Sequence, residues 1–436
     1  MKLLLLYCSK SRAADSGIRS QKRQKGRWWP SLALPVFVLA LATAGSAKAS
    51  RQQRPTPQHP FLKLTPGDAA TREGFDHFYN LEYEPAISNF EKSLADHPGD
   101  PYAINHLLEA VLFQELHREG KLDAELYMSN EFVHVKKKEP TAQTIARIQN
   151  LINQALAIEN RRLAENPKDV SALYARSVTR GLLAVDQALV DKAWFTALRS
   201  SLGAYDDSTQ VLAIDPSCSD AKLIVGIYNY VVGSLPWPVK IAALLATIHG
   251  SKSKGLSLIR EAVEGGGEAS VDARTTLGLF LAREHRYPEA LELTEWLYAA
   301  FPRNFLYALS AADLLKDTGK PAAAIQAYRR LIELGRQGQF ANENAGLASI
   351  ELGNLLRSER HWRAAAEAYD SARTLPHPNP YLLLRAQLAA GQMYDLAGER
   401  QLAVQQYQEV VEKTSDPDLA EQARRWLKHP YQEAGD

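Results

Sequence analysis

Residues 271–304 read VDARTTLGLFLAREHRYPEALELTEWLYAAFPRN. Leu277-Gly278 is followed twelve residues later by Ala290, and Pro302 lies twelve residues beyond that. Small residues at fixed offsets inside a period near 34 predict pairs of helices stacked into a solenoid. Each small residue marks the place where the first helix of a pair (A) crosses the second (B), because a larger side chain would push the axes apart. The same signs return downstream. Residues 305–338 use Ala312 in place of the glycine and carry Ala324 with Tyr328. Gly353 is followed by Ala365 and Tyr369, and Gly391 by Ala403 and Tyr407. The B-helix alanines are 34, 41 and 38 residues apart. The aromatic four residues after the alanine lies one turn later on the same helix face.

Upstream the pattern is looser. Gly74, Ala86, Phe90 and Pro98 predict a first pair, beginning near Pro66. Asn166-Pro167 and Pro216 read as further B-helix exits, with A helices over 102–117, 170–184 and 220–232. Extra residues at 119–144, 185–196 and 233–254 enlarge three pairs. Residues 419–428 supply a largely polar closing helix, which the end of a solenoid needs. The expectation is an all-α chain of about eight helical pairs: a divergent region over 65–265 and a regular array over 266–430.

These copies resemble the tetratricopeptide repeat, which implies a right-handed helix-pair solenoid and a binding function rather than a particular partner. In that family A-helix positions 2, 5, 9 and 12 face the concave surface. Here they are Asp272, Thr275, Leu279 and Ala282, then Leu306, Leu309, Asp313 and Lys316. The next two sets are Leu347, Ile350, Asn354 and Arg357, then Arg385, Leu388, Gln392 and Asp395. Members that grip a chaperone's carboxylate terminus use Lys at position 5 and Asn at position 9. Asn354 matches, but position 5 is Thr, Leu, Ile and Leu, so that clamp is not expected. The resemblance implies a protein or peptide site built from Lys316, Leu347, Ile350, Asn354, Arg357, Arg385, Leu388 and Gln392. The alternative is that Leu347 and Ile350 pack against a neighbouring helix.

Charge bears on location and partner. The chain has 51 basic and 50 acidic residues. Residues 1–27 hold eight bases and one acid, ahead of an apolar run over 31–45 and Ala47-Lys48-Ala49. This order predicts a secretory signal peptide ending at residue 49, followed by a polar, proline-broken linker over 50–64. The run is short for a membrane span; an uncleaved anchor is the alternative. Cleavage would leave 42 basic and 49 acidic residues, a net charge near −7. A chain this acidic is a poor match for nucleic acid. It would keep one cysteine, Cys218, and no internal disulfide. The expected location is the periplasm or cell envelope of a bacterium.

The insertion around residue 240 puts Ile241, Leu244, Leu245 and Ile248 on one helical stripe behind Pro236-Trp237-Pro238, with Lys252 and Lys254 following. It fits a helix packed on the solenoid, an interfacial membrane helix, or a docking helix. Residues 217–265 also resemble the eukaryotic tetratricopeptide family linked to mitochondrial inclusion clearance and lipid handling, which implies a helix–insert–helix layout and lipid contact. A peripheral membrane protein using the 237–248 helix is therefore the alternative function.

No catalytic or metal pattern is present: no HExxH, GxSxG or CxxC. The stretch 249–255 (HGSKSKG) lacks phosphate-loop spacing, and Gly265-Gly266-Gly267 reads as a connector between helices. No cofactor, metal or reaction is expected.

Overall fold

The computed structural model describes residues 68–118, 122, 140–189, 194–234, 249–340, 346–376 and 378–433 of the 436-residue chain. The expected signal, the linker, most of the 119–144 insertion, and Trp237, Ile241, Leu244, Leu245 and Ile248 lie outside the described residues.

The described chain is all-helical and forms eight pairs with a closing helix. The pairs are α1 (Ala69–Tyr79) with α2 (Tyr83–Asp96), α3 (Pro101–Arg118) with α4 (Ala142–Glu165), α5 (Val170–Leu189) with α6 (Trp194–Ile214), and α7 (Ser219–Gly233) with α8 (Lys252–Gly265). They continue as α9 (Ser270–Arg283) with α10 (Tyr287–Ala300), α11 (Phe305–Asp317) with α12 (Pro321–Arg336), α13 (Gly346–Ser358) with α14 (Trp362–Asp370), and α15 (Pro380–Leu396) with α16 (Arg400–Lys413). The closing helix is α17 (Pro417–Lys428). The fold is thus a solenoid of tetratricopeptide-type helical pairs. The extra residues near 185–196 largely lengthen α5 and α6.

Local chemistry explains the boundaries. Asp68, Thr141, Asn304, Asn379 and Asp416 each cap a helix N-terminus with a side-chain oxygen. Proline opens α10, α12, α15 and α17, where no N–H is needed. Five A-to-B turns share one device, a residue in the left-handed region two positions before helix B: Leu81, His285, Gly319, Arg360 and Gly398. The 265–267 connector is pinned rather than loose. Asp220 Oδ1 accepts the Ala269 N–H at 3.2 Å, and a Cβ on Gly267 would meet that oxygen at 2.0 Å.

The small-residue code works through the aromatic ring, and this corrects the reading of Gly278. Phe90, Tyr369 and Tyr407 lie directly over Gly74, Gly353 and Gly391, where an added Cβ would approach the ring to 2.6, 2.5 and 2.5 Å. These rings are almost wholly buried. Above Gly278 the residue four after the alanine is Thr294, and an added Cβ would find nothing nearer than 3.6 Å. The glycine in the clearest copy of the repeat therefore marks the loosest crossing of this kind. The closest one is at Gly226 and Gly255, between α7 and α8, where backbone approaches backbone.

The first pair does not sit at a free end. Tyr79 packs tilted against Phe301, with ring centroids 5.1 Å apart, and donates its hydroxyl to Asp272 Oδ2 at 2.9 Å. Asn304 Nδ2 donates to the Tyr79 carbonyl at 2.7 Å, and the Arg303 N–H donates to Asn80 Oδ1 at 3.0 Å. The Arg303 guanidinium bridges Asp76 and Glu82 at 2.9 and 2.7 Å. Phe75, Phe78 and Tyr79 share one apolar core with Val271, Leu297 and Phe301. The first five pairs therefore close on themselves, and pairs six to eight extend from that closed part.

Candidate binding surface

The A helices of the closed part carry a group of carboxyls and aromatic hydroxyls. Glu109 on α3 and Asp272 on α9 are half-buried, and burial pushes both up in pKa; the charges of Asp272 and Glu268 add to the shift at Glu109, while at Asp272 the Tyr79 hydrogen bond opposes it and the charges of Glu268 and Asp220 add to it. Burial pushes Asp220 up to about 6, and the Glu268 charge adds to it. His106 Nε2 pairs with Glu268 Oε1 at 2.7 Å, and Tyr307 shares a 2.9 Å hydrogen bond with Thr275. Behind this surface Glu159 is fully buried. Its Oε1 lies 2.7 Å from the Thr179 hydroxyl, and burial pushes it up to about 7. Of these shifted acids the sequence reading placed only Asp272 on the concave face; Glu109, Asp220 and the buried Glu159 it left unmarked. The signal was available in Tyr102, Asn105, His106 and Glu109, all on one side of α3. Among the described residues no cluster of His, Cys, Asp or Glu has a metal-holding arrangement.

The expected groove in pairs six to eight is more occupied than its sequence suggests. Tyrosine hydroxyls from the B helices reach through each pair to polar residues of the A helix. Tyr328 donates to Asp313, Tyr369 to Asn354 Oδ1 at 2.7 Å, and Tyr407 to Asp395 Oδ2 at 2.9 Å. Asn354 also donates to Glu351 Oε1 at 3.0 Å, so its amide completes the pair. Lys316 lies 3.5 Å from Glu351, tying α11 to α13. Leu388 is only 6 % exposed and belongs to the shared core, which moves it off the expected groove floor. Leu347 and Ile350 are half-buried and pack against that core. Gln392 is half-buried on α15. The Arg385 guanidinium lies 5.7 Å from the Tyr381 ring centre on its own helix.

Arg357 and Asn354 do come together, in company the sequence did not indicate. They line an open cavity of about 270 Å³ with Ser358, Arg360, Trp362 and Glu433. Arg357 Nη2 donates to the Tyr431 hydroxyl at 3.1 Å, and its Nε lies 3.9 Å from Glu433. The Tyr431 N–H donates to Asp395 Oδ2 at 2.7 Å. The C-terminal segment thus runs across the ends of α15 and α13. Lys316, Arg385 and Gln392 do not line this cavity.

No family model matches the chain, and no curated protein does. Several solved structures are similar. PilF of Pseudomonas aeruginosa is 16 % identical over 57 % of this chain and 97 % of its own, with a TM-score of 0.35. Yeast Tom70 is 12 % identical over 83 % of this chain and 94 % of its own, with a TM-score of 0.34. A tetratricopeptide repeat protein from Parabacteroides merdae is 13 % identical over 77 % of this chain and 97 % of its own, with a TM-score of 0.29. These likenesses concern the helical-pair fold alone.

Proposed function

We propose that the protein is an exported, non-catalytic scaffold that binds a polypeptide partner along the A-helix face of pairs seven and eight. The observation that carries this reading is that this face already receives extended polypeptide, the segment around Tyr431, through one backbone hydrogen bond and side-chain contacts to Arg357. Arg357 and Asn354, on the same helix as half-buried Leu347 and Ile350, suit a partner with apolar anchors and an acid. The double variant Arg357→Ala/Arg385→Ala tests it. Partners are captured from envelope extract by wild-type protein, identified by mass spectrometry, and their affinities measured. A loss of at least about tenfold is expected for a charge-assisted contact, with the helical circular dichroism unchanged. Unchanged affinity for every partner would remove pairs seven and eight as the site.

Export rests on the basic stretch, the apolar run over 31–45 and Ala47-Lys48-Ala49. N-terminal sequencing of native protein is expected to begin at Ser50. An intact Met1 in a cytosolic fraction would overturn the export reading without touching the scaffold.

A further inference from the structure

We propose that residues 429–433 are an intramolecular occupant of a short-peptide site at the ends of α13 and α15, and that the partner displacing them carries an aromatic residue followed two positions later by an acid. This rests on the peptide-binding reading above and adds its regulation and the partner's chemistry.

Beyond its first residue, the C-cap His429, the segment is not needed to finish the last helix. The His429 N–H bonds the Arg425 carbonyl at 3.2 Å, and Arg400 Nη2 donates to the carbonyls of Trp426 and Leu427 at 2.9 and 2.7 Å. With those carbonyls satisfied, α17 is capped before the tail begins. The chain then turns across the neighbouring A helices. Tyr431 is half-buried: its ring meets Trp426 edge-on at 5.0 Å, its N–H reaches Asp395, and its hydroxyl accepts from Arg357. Gln432 and Glu433 are exposed.

This grip is specific in geometry and small in extent. One ring, one backbone N–H and one hydroxyl hold the segment, and Glu433 stands 3.9 Å from Arg357 Nε, beyond hydrogen-bond distance. Beside it lies the cavity of about 270 Å³, with Asn354, Ser358, Arg360 and Trp362 on its other walls. The site therefore exceeds what its own tail fills. A free peptide that sets the same aromatic against Trp426 and brings its carboxylate into that cavity would form the close Arg357 contact the tail lacks. An internal occupant lowers apparent affinity by the fraction of time the site is covered, and removing it restores that factor.

The probe is a fluorescein-labelled peptide with the sequence of residues 426–433, WLKHPYQE, titrated into full-length protein and followed by anisotropy. The variant Tyr431→Ala/Glu433→Ala is expected to bind it at least about tenfold more tightly than wild type. Adding Arg357→Ala to that variant is expected to abolish the gain. A milder variant, Tyr431→Phe/Glu433→Gln, keeps the ring and removes only the polar contacts; a gain of about threefold is expected. Equal affinity for wild type and both tail variants, no binding to any of them, or binding that survives Arg357→Ala each overturns the proposal. If partners captured from extract are lost on Arg357→Ala/Arg385→Ala yet unaffected by the tail variants, the tail proposal fails and the scaffold reading stands.

Discussion

Gly255→Ala is expected to destabilise the chain by about 3 kcal/mol or more, whereas Gly278→Ala, at another buried helical glycine, is expected to be neutral or to stabilise it by about 0.5–1 kcal/mol. A Cβ on Gly255 would lie 2.5 Å from the Tyr230 backbone nitrogen and 2.7 Å from the Gly226 carbonyl oxygen. Neither atom belongs to a side chain that could swing away, so α7 and α8 would have to part. Tyr230 is fully buried and stacks on Phe280 of α9 at 3.8 Å, so parting them also disturbs the next pair. At Gly278 the new methyl meets ordinary contacts from 3.6 Å outward, and alanine brings its better helix propensity. Gly353 and Gly391 fall between these cases. Their clashes are with the rings of Tyr369 and Tyr407, but those rings are buried and their hydroxyls are held by Asn354 and Asp395. Denaturant midpoints of the four alanine variants test the order. A Gly255→Ala midpoint indistinguishable from wild type would show that the α7–α8 crossing is not the tight one.

What was legible in the sequence follows from the same contacts. Eight pairs and a closing helix could be read because each glycine, alanine and aromatic lies within one repeat and reports a local crossing. Gly278 was overvalued because its spacing is ideal while Thr294 leaves out the ring that makes such a glycine necessary. Closure of the first five pairs was hidden, since Tyr79 finds Asp272 and Asp76 finds Arg303 across about two hundred residues. A hint existed in α1. An end repeat should turn a polar face outward, yet Phe75, Phe78 and Tyr79 give it more aromatic surface than α2 alone can cover. The groove was half legible. Position counting put Arg357 and Asn354 on one face, and both line one cavity, but it could not foresee that Tyr369 would claim the Asn354 oxygen or that Tyr431 and Glu433 would approach Arg357. Leu388 went to the core because apolar side chains on a shallow concave surface gain more from burial between helices than from waiting for a ligand.

The shifted carboxyls set the expected pH dependence. A carboxyl whose folded pKa is raised keeps a proton that the unfolded chain releases near pH 4, so its contribution to stability is complete below that value. It is lost as pH climbs through the folded value. For Asp220 and Glu159 those folded values are about 6 and about 7, and Glu109 and Asp272 are shifted in the same direction. Opposing groups act lower on the scale. Burial works against ionisation of Glu409, but hydrogen bonds from Arg373, Lys413 and Gln387 outweigh it and bring it to about 2. Glu82 is also lowered despite its burial, by Arg303 and His77. Both contribute stability above about pH 4.5 that is lost as pH falls, for Glu409 towards pH 2. The maximum is therefore expected near pH 4.5, with a decline from there to about pH 7 that leaves the chain less stable at pH 8. At about 1.4 kcal/mol per pKa unit, the fully buried Glu159 alone accounts for roughly 3 kcal/mol of that decline. Calorimetry at pH 5 and pH 8 is expected to show Tm lower at pH 8 by at least about 3 °C. Glu109→Gln removes a charge from the same inner surface without changing its shape much, so it is expected to raise Tm at pH 8 and leave it nearly unchanged at pH 5. A wild-type Tm that rises from pH 5 to pH 8, or a Glu109→Gln variant less stable at pH 8 than wild type, would mean that these carboxyls are ionised in the folded chain at neutral pH and meet a cationic group there.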